Sequence, residues 1–413
     1  MDESKRALKE QFVSHLNGTT WIEVDFIQLV QPLCTLLFSS FCCFIFQGHK
    51  VNRHEFAHTL AGKSLMYVVD FGLCVIPLLA TLTVFADHYM ALTQTMLAMA
   101  LLFLATTCTN FKYNSLKEVM NKTVDKTDRS YISWYRAYVN VLTAICILAV
   151  DFKMYPRRLA KTETFGTGLM DIFVGAFIMC NSIVCKEATD STMELRGFSE
   201  KLASLKKVLR TSLPLTILGV ARLISTKSSN YQEHVTEYGV HWNFFLTLAA
   251  VRLLCTAMLC VLKPSKAALL SVSFAATYQY LLSHKLQEYI LREGGRHSDL
   301  LSANREGIFS LLGYMSLYFA GVTIGRIIFQ KKRMTWGDNF KLALQLLLLS
   351  GISLLGMLVA RAYGIDVSRR MANLTFILWT IHHSALVVAA MLAVFLLHQL
   401  IDLVFTGYTM LYY

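Results

Sequence analysis

Between residues 151 and 163 the chain gathers Asp151, Arg157, Arg158, Lys161 and Glu163 into one short stretch. A carboxylate at the edge of a hydrocarbon layer is partly desolvated and accepts a proton more readily. An ammonium can stabilise a developing oxyanion, and adjacent guanidinium groups suit phosphate. Charge of this density predicts that an anionic ligand is handled here. On a continuous helix Asp151 and Lys161 would stand about 15 Å apart. Pro156 makes continuation unfavourable, because it lacks an N–H and clashes with the preceding turn, so a bend is expected that can return Lys161 toward Asp151. A plain Asp151–Lys161 ion pair fastening a loop is the structural alternative. His297, with Asp299 two residues on to orient it, is an alternative base.

These residues sit between two apolar runs, one ending at Val150 and the next beginning after Gly166. Over the 413 residues 55% are hydrophobic and 16% charged, and the mean hydropathy is +0.47. Such values lie outside the balance of a soluble globular domain. At about 20 apolar residues per crossing the chain offers eleven stretches, from 26–46 to 372–398, and two more can be accommodated. The runs are too long for outer-membrane strands and lack their alternation. The expected fold is all-α, a polytopic transmembrane helical bundle of 11 to 13 spans forming a single integral-membrane domain over residues 1–413. Loops following odd-numbered stretches carry more Lys and Arg, so the amino terminus is expected on the lumenal side and the carboxyl terminus in the cytosol. The loops 151–165 and 284–306 run against that bias, and binding of an anionic ligand would account for it. Residues 1–25 lack the apolar core of a cleavable signal, so the first span is expected to act as the anchor.

Other motifs carry less. His54-Glu55-Phe-Ala-His58 has the spacing of a helical zinc site, but it falls in a short loop and lacks a third-ligand motif, so no metal is expected. The ten cysteines show no Cys-x-x-Cys spacing and read as small buried hydrophobes. Asn17-Gly-Thr19 is a glycosylation sequon on the expected lumenal side. The net charge of +12 is spread through loops near the membrane, which favours anionic head groups over nucleic acid. Among ionisable residues inside apolar runs, Arg222, Arg326 and Arg361 are expected to snorkel, Asp70 and Asp171 to line a cavity, and His382-His383 to be satisfied structurally. An interfacial helix is expected over residues 194–207, separate from a span at 208–225.

The block Tyr135-Arg136-Ala, Thr143-Ala-Ile-Cys-Ile-Leu-Ala-Val-Asp151-Phe, Pro156-Arg-Arg, Lys161-Thr-Glu and Gly166-x-Gly-x-Met-Asp171 resembles the inositol acyltransferases of glycosylphosphatidylinositol (GPI) anchor biosynthesis, called class W in animals. His297-Ser-Asp-Leu with Asn304-Arg-Glu-Gly-Ile, and Asn373-Leu-Thr-Phe, are also similar to that family. The resemblance implies a multi-pass enzyme of the endoplasmic reticulum membrane that moves a fatty acyl group, typically palmitoyl, from acyl-CoA to the inositol ring of glucosaminyl-phosphatidylinositol. It needs no tightly bound cofactor; acyl-CoA is a substrate and the glycolipid the acceptor.

By the same resemblance Asp151 and Lys161 form the catalytic pair. Contacts to substrate are expected from Arg136, Arg157, Arg158, Thr162, Glu163, Asp171, His297, Asp299, Asn304 and Arg305. Direct transfer, with Asp151 taking the hydroxyl proton and Lys161 stabilising the oxyanion, is the expected route. The rival reading is a secondary transporter or lipid scramblase with a polar intramembrane cavity, which repeated halves with interrupted spans would signal.

Overall fold

The computed structural model describes residues 16–47, 59–108, 121, 129–190, 192–193, 197–228, 235–292, 294–296, 299–331 and 334–404. The zinc-like sequence His54 to His58, His297 and Ser298 lie outside these residues. Among the described residues the structure is helical, and pairing of extended chain is limited to an isolated parallel bridge, Gly18 with Thr167. Among the described residues nine helices are long and apolar enough to cross a membrane by length and composition. The chain divides into two compact units, and the division falls inside two of its long helices.

One unit comprises Thr19–Ala160, Lys332–Leu348 and the chain from Ala385. It opens with α1 (Trp21–Gln47) and continues with α2 (Leu60–Asp70), α3 (Ile76–Thr81), α4 (Tyr89–Cys108) and α5 (Ser130–Ala149). Helices α1 and α4 pack along each other, with Phe41 and Phe103 edge to face at 5.5 Å. A π-helical turn, Phe71–Val75, joins α2 to α3. Pro77 follows it and cannot donate to the carbonyl four residues back, so the widened turn absorbs a break in the hydrogen-bond ladder without ending the span. Helix α5 stops at Ala149 and the chain turns through Asp151, as the drop in hydropathy there requires. Pro156 is extended (φ −63°, ψ 126°) and leads into a 3-10 turn, Arg157–Leu159, so the expected bend is present.

The other unit comprises Lys161–Lys331 and Leu349–Ser384 with residues 16–18. Its helices are α6 (Leu169–Ile183), α7 (Lys186–Thr189), α8 (Phe198–Ser228), α9 (Val235–Tyr238), α10 (Phe244–Leu262), α11 (Ala267–Leu281), α12 (Gln287–Leu291), α13 (Leu300–Ala303) and α14 (Arg305–Ile328). Two further helices, α15 (Trp336–Ala362) and α16 (Leu374–Val404), contribute to both units. Helix α14 is the centre of this unit and packs against α6, α10 and α11. Gly321 and Gly325 let it approach closely: a Cβ at either position would collide with Ser182 Oγ or the Ile183 carbonyl at the end of α6. Small residues four apart serve helix association where lipid supplies no hydrophobic drive.

Residues 198–228 form one continuous helix, not an interfacial helix followed by a separate span. The helix runs through Thr211, Ser212 and Pro214, because a proline inside an apolar helix removes one donor without forcing an end. His382 is satisfied within the unit, its Nδ1 lying 2.8 Å from Ser350 Oγ.

The segment leading into α6 is held by backbone contacts. Glu163 N–H donates to the Leu16 carbonyl (3.2 Å) and Gly166 N–H to the Val367 carbonyl (2.8 Å). Gly166 has φ +131°, and a Cβ there would meet the Asn17 carbonyl oxygen. Only glycine tolerates both the angle and the approach. Gly166→Ala should therefore destabilise the fold by about 2 kcal/mol or more, read as a lowered unfolding midpoint of the detergent-purified protein; an unchanged midpoint would contradict this role.

Candidate functional site

The sequence from Lys161 to Asp171 crosses from an irregular segment, exposed at Lys161 and buried at Thr162, into the first turn of α6. Gly168 caps that helix and donates its N–H to Asp171 Oδ2 (2.9 Å), the carboxylate reaching back as in a capping box. Thr162 N–H lies 3.1 Å from both carboxylate oxygens of the same residue. Asp171 is 0% exposed and accepts a third kind of bond, from Arg369 Nε at 2.8 Å. It does not line an open cavity, as the sequence led us to expect; a short side chain that cannot reach water is instead saturated by donors in place.

Arg369 carries the network outward. Its other nitrogens reach Glu237 Oε1 (3.1 Å) and the Thr162 carbonyl (3.5 Å). Glu237 in turn accepts Lys161 Nζ at 2.8 Å. Side-chain exposure rises along this path, from 0% at Asp171 and 6% at Arg369 to 20% at Glu237 and 44% at Lys161. The path closes on itself, because Thr162, whose backbone binds Asp171, is the residue after Lys161. Lys161 is thus held through its own chain and through its ammonium by one set of four charges.

Burial opposes ionisation of Glu237, but the Lys161 ammonium and the Arg369 guanidinium outweigh it and hold its carboxyl down to about 2. Burial likewise works against the charge on Arg369; Glu237 and Asp171 overcome it and hold the guanidinium above its ordinary range. The turn bearing Arg369 is fixed from behind. Tyr314 Oη donates to the Arg369 carbonyl (3.2 Å), Tyr278 Oη to the Met371 carbonyl (2.7 Å), and Ser368 Oγ to the Thr164 carbonyl (2.7 Å).

A second cluster begins one residue on. Glu306, 0% exposed, accepts two bonds from Arg296 (3.0 and 2.6 Å) and one from Arg370 Nη2 (2.8 Å). Arg305 Nε lies 3.9 Å from it. Arg305 donates to the Gly294 carbonyl (3.3 Å) and the Arg292 carbonyl, and its guanidinium lies 5.7 Å from the centre of the Tyr289 ring. Asn304 accepts from His241 N–H (2.7 Å) and donates to the Leu300 carbonyl (2.9 Å). Asp299 caps α13 by accepting from Ser302 N–H (2.9 Å).

Glu163 is exposed in the same unit, its N–H on the Leu16 carbonyl, and the other described site residues expected from the sequence belong to the unit that holds α1 to α5. Asp151 is exposed in the turn after α5, and Arg136 is exposed on that helix. Arg157 donates to the Val150 carbonyl at the carboxyl end of α5, with its guanidinium 5.9 Å from the Tyr155 ring centre. Burial lowers its pKa. Arg158 Nε bonds to both oxygens of Glu23 (3.0 and 3.2 Å), and its Nη2 to Asp87 (2.7 Å) and the Ala86 carbonyl (3.1 Å). Burial works against its charge too, but Glu23 and Asp87 raise its pKa. Both arginines fasten their own unit.

Lys161, Thr162 and Asp171 are therefore brought together, as are Asp299, Asn304 and Arg305. Glu237, Arg369, Arg370, Arg296 and Glu306 went unweighed as a site in the sequence. The visible signal was the Arg369-Arg370 pair in a short loop between apolar runs. Glu237 gave none, since no periodicity surrounds it.

Stability should follow the Glu237 carboxyl. Its folded pKa lies below the ordinary 4.5, so its contribution is full above about 4.5 and is lost as pH falls through about 2; by linkage it amounts to about 3 kcal/mol. Unfolding midpoints recorded across that window should drop for the native chain and flatten for Glu237→Gln. Asp171→Asn leaves Arg369 without its buried counter-charge and should cost about 3–5 kcal/mol, again read as a midpoint; a loss below 1 kcal/mol, about the worth of an exposed pair, would contradict the assignment.

A sequence model described as GWT1 matches residues 5–409. The glucosaminyl-phosphatidylinositol-acyltransferase PIGW of Bos taurus is 35% identical over 401 residues, covering 94% of this chain and 77% of its own. The GPI-anchored wall transfer protein 1 of Aspergillus oryzae is 35% identical over 410 residues, covering 92% and 79%. The phosphatidylinositol-glycan biosynthesis class W protein of Dictyostelium discoideum is 32% identical over 422 residues, covering 92% and 81%. With the match running through both charged clusters and nearly the whole length, the chain belongs to the GWT1 family.

Proposed function

We propose that this chain is an acyl-CoA-dependent O-acyltransferase of GPI-anchor biosynthesis that places a fatty acyl group, palmitoyl in the first instance, on the inositol ring of glucosaminyl-phosphatidylinositol. The observation that carries this reading is Lys161: an ammonium partly open to solvent, fixed at the outer end of a buried ion-pair path, in a chain related to proteins named for that acyl transfer. A positive charge held still before the reaction is what an oxyanion needs, because no reorganisation is then required as the charge develops.

In the reaction the inositol hydroxyl loses its proton to the Asp151 carboxylate as its oxygen bonds to the thioester carbonyl carbon. The tetrahedral oxyanion is stabilised by Lys161. On collapse the C–S bond breaks, and the thiolate of coenzyme A leaves and is protonated by Asp151. The apolar spans hold the acyl chain. A cysteine-borne acyl intermediate finds little support at Cys185, whose thiol is pushed up by burial and by the neighbouring Glu187, the reverse of what activates a thiolate.

For the membrane arrangement we take the nine long helices with α6 and α11 as eleven spans, the amino terminus lumenal and the carboxyl terminus cytosolic, in the endoplasmic reticulum. This arrangement puts the Asp151 loop on the lumenal side whereas coenzyme A is cytosolic, so the donor reaches that loop through a deep cavity; cysteines introduced at Lys153 and Lys332 and labelled from each side test the orientation, and lumenal labelling at the second would reverse it.

Purified protein given palmitoyl-CoA and glucosaminyl-phosphatidylinositol should raise the mass of the glycolipid by one palmitoyl group. Lys161→Ala and Asp151→Asn should each lower that rate by about 100-fold or more while remaining folded. Full activity in either folded variant would refute its role.

A further inference from the structure

The two charged clusters differ in one respect that decides what each can do. Around Arg369 the charges balance: Lys161 and Arg369 face Asp171 and Glu237. Around Glu306 they do not. Arg296, Arg305 and Arg370 converge on that single carboxylate, and among the described residues no second acid is paired with any of the three. Two positive charges are left over in a region where Arg305 is 1% and Arg370 8% exposed. An uncompensated charge in such surroundings is costly, and three guanidinium groups around one acid are stable together only if something else supplies negative charge.

The hydrogen bonds show the same deficit. Arg305 Nε and Arg370 Nε are buried and find no hydrogen-bond acceptor among the described protein groups. Guanidinium N–H groups are strong donors, and leaving them unmet inside a protein is unfavourable. What is missing is therefore a group with several anionic oxygens, and phosphate is the group that planar guanidinium forks match best.

We propose that Arg296, Arg305 and Arg370, arranged around Glu306, form the seat for the phosphodiester of an inositol phospholipid. This rests on the acyl-transfer reading for its place in the reaction. Arg370 follows Arg369 in one turn that Tyr314 and Tyr278 pin by their hydroxyls. The phosphate seat and the Lys161 path thus share a rigid link, and a phosphate gripped on one side presents its attached inositol ring at a set distance from Lys161. A lipid phosphodiester brings two anionic oxygens that share one negative charge, which offsets one of the two excess charges and leaves the other to Arg296, the most exposed of the three at 16%, and it arrives with its own apolar anchor. The phosphates of coenzyme A carry several charges and favour water, which makes the donor a poorer match to so buried a site. Glu306 offsets one of the three positive charges and holds the guanidinium groups around itself.

The test uses the full chain in phosphatidylcholine nanodiscs, with phosphatidylinositol, coenzyme A or inorganic phosphate added separately and stabilisation against heat as the readout, no acyl donor being present. Phosphatidylinositol should stabilise the native chain. Arg370→Met should weaken that effect by about tenfold or more. Should that variant not fold, Arg296→Gln, at a partly exposed position (16%), should weaken it in the same direction. Lys161→Ala should keep it. In the acyl-transfer assay Arg296→Gln should raise KM for the glycolipid acceptor and leave KM for acyl-CoA unchanged.

Equal stabilisation with and without phosphatidylinositol, or an unaltered response in folded Arg370→Met and Arg296→Gln, would overturn the seat. Stabilisation by coenzyme A alone would overturn its assignment to the lipid, and an equal effect of inorganic phosphate would reduce it to a general anion site. Intact phosphatidylinositol binding in a chain that forms no acylated product would sink the acyl-transfer reading and leave the seat standing.

Discussion

One buried guanidinium organises this unit. Arg369 lies between Asp171 and Glu237, at 2.8 and 3.1 Å, and each carboxylate belongs to a different helix. Taking such groups out of water costs several kcal/mol per ion, a cost met only where every donor and acceptor finds a partner. Here they do: the Asp171 carboxylate also receives two backbone N–H groups, and Arg369 also reaches the Thr162 carbonyl. The start of α6, the short helix α9 and the turn before α16 are consequently tied at one point. The surrounding apolar packing sets helix against helix; this pair fixes the register of the loops between them.

That constraint separates what is structural from what is available for chemistry. Charges deep in the path are saturated and cannot change partners cheaply. At the outer end Lys161 keeps two ammonium hydrogens that its contact with Glu237 does not use. Glu237 is held ionised by the cations beside it, so it remains an acceptor over the physiological range and keeps the lysine in one orientation. A lysine on a flexible stem is ordinarily a poor positioner because its rotamer freedom is large. Anchoring its neighbour's backbone and its own nitrogen to the same four-charge set removes much of that freedom.

The sequence made some of this visible. Hydropathy marked the helices, the fall in hydropathy ended α5 beside Asp151, and Pro156 marked the bend before Lys161. Asp171 stood out as an acid too short to escape an apolar run. Its partner did not, because Arg369 is 198 positions away, and periodicity reports only on neighbours a few residues apart. Glu237, 76 residues from Lys161, is hidden for the same reason. Where the reading of residues 194–225 differed from the structure, an amphipathic stretch and the apolar stretch after it were taken as two elements, although the helix runs on without a break from Phe198 to Ser228. Of the two arginines that looked most like phosphate ligands, Arg158 is ion-paired to Glu23 and Asp87, while Arg157, next to it in sequence, donates to the carbonyl at the end of α5. Sequence adjacency counts charges but cannot say which of them are already neutralised.

Neutralisation is the more useful criterion for sites of this kind. A loop of high charge near a membrane can arise from snorkelling, from loop fastening or from ligand binding, and all three look alike as composition. They differ once partners are known. Arg361, 42% exposed and 3.8 Å from Asp366, lies loosely at a helix end. Arg158 is fully engaged by acids of its own unit. Among the described residues, the group around Glu306 combines burial, an excess of one sign and donors without acceptors in the protein. Each of those features costs free energy in the empty protein, and a cost that recurs three times at one place is hard to maintain unless a bound species removes it.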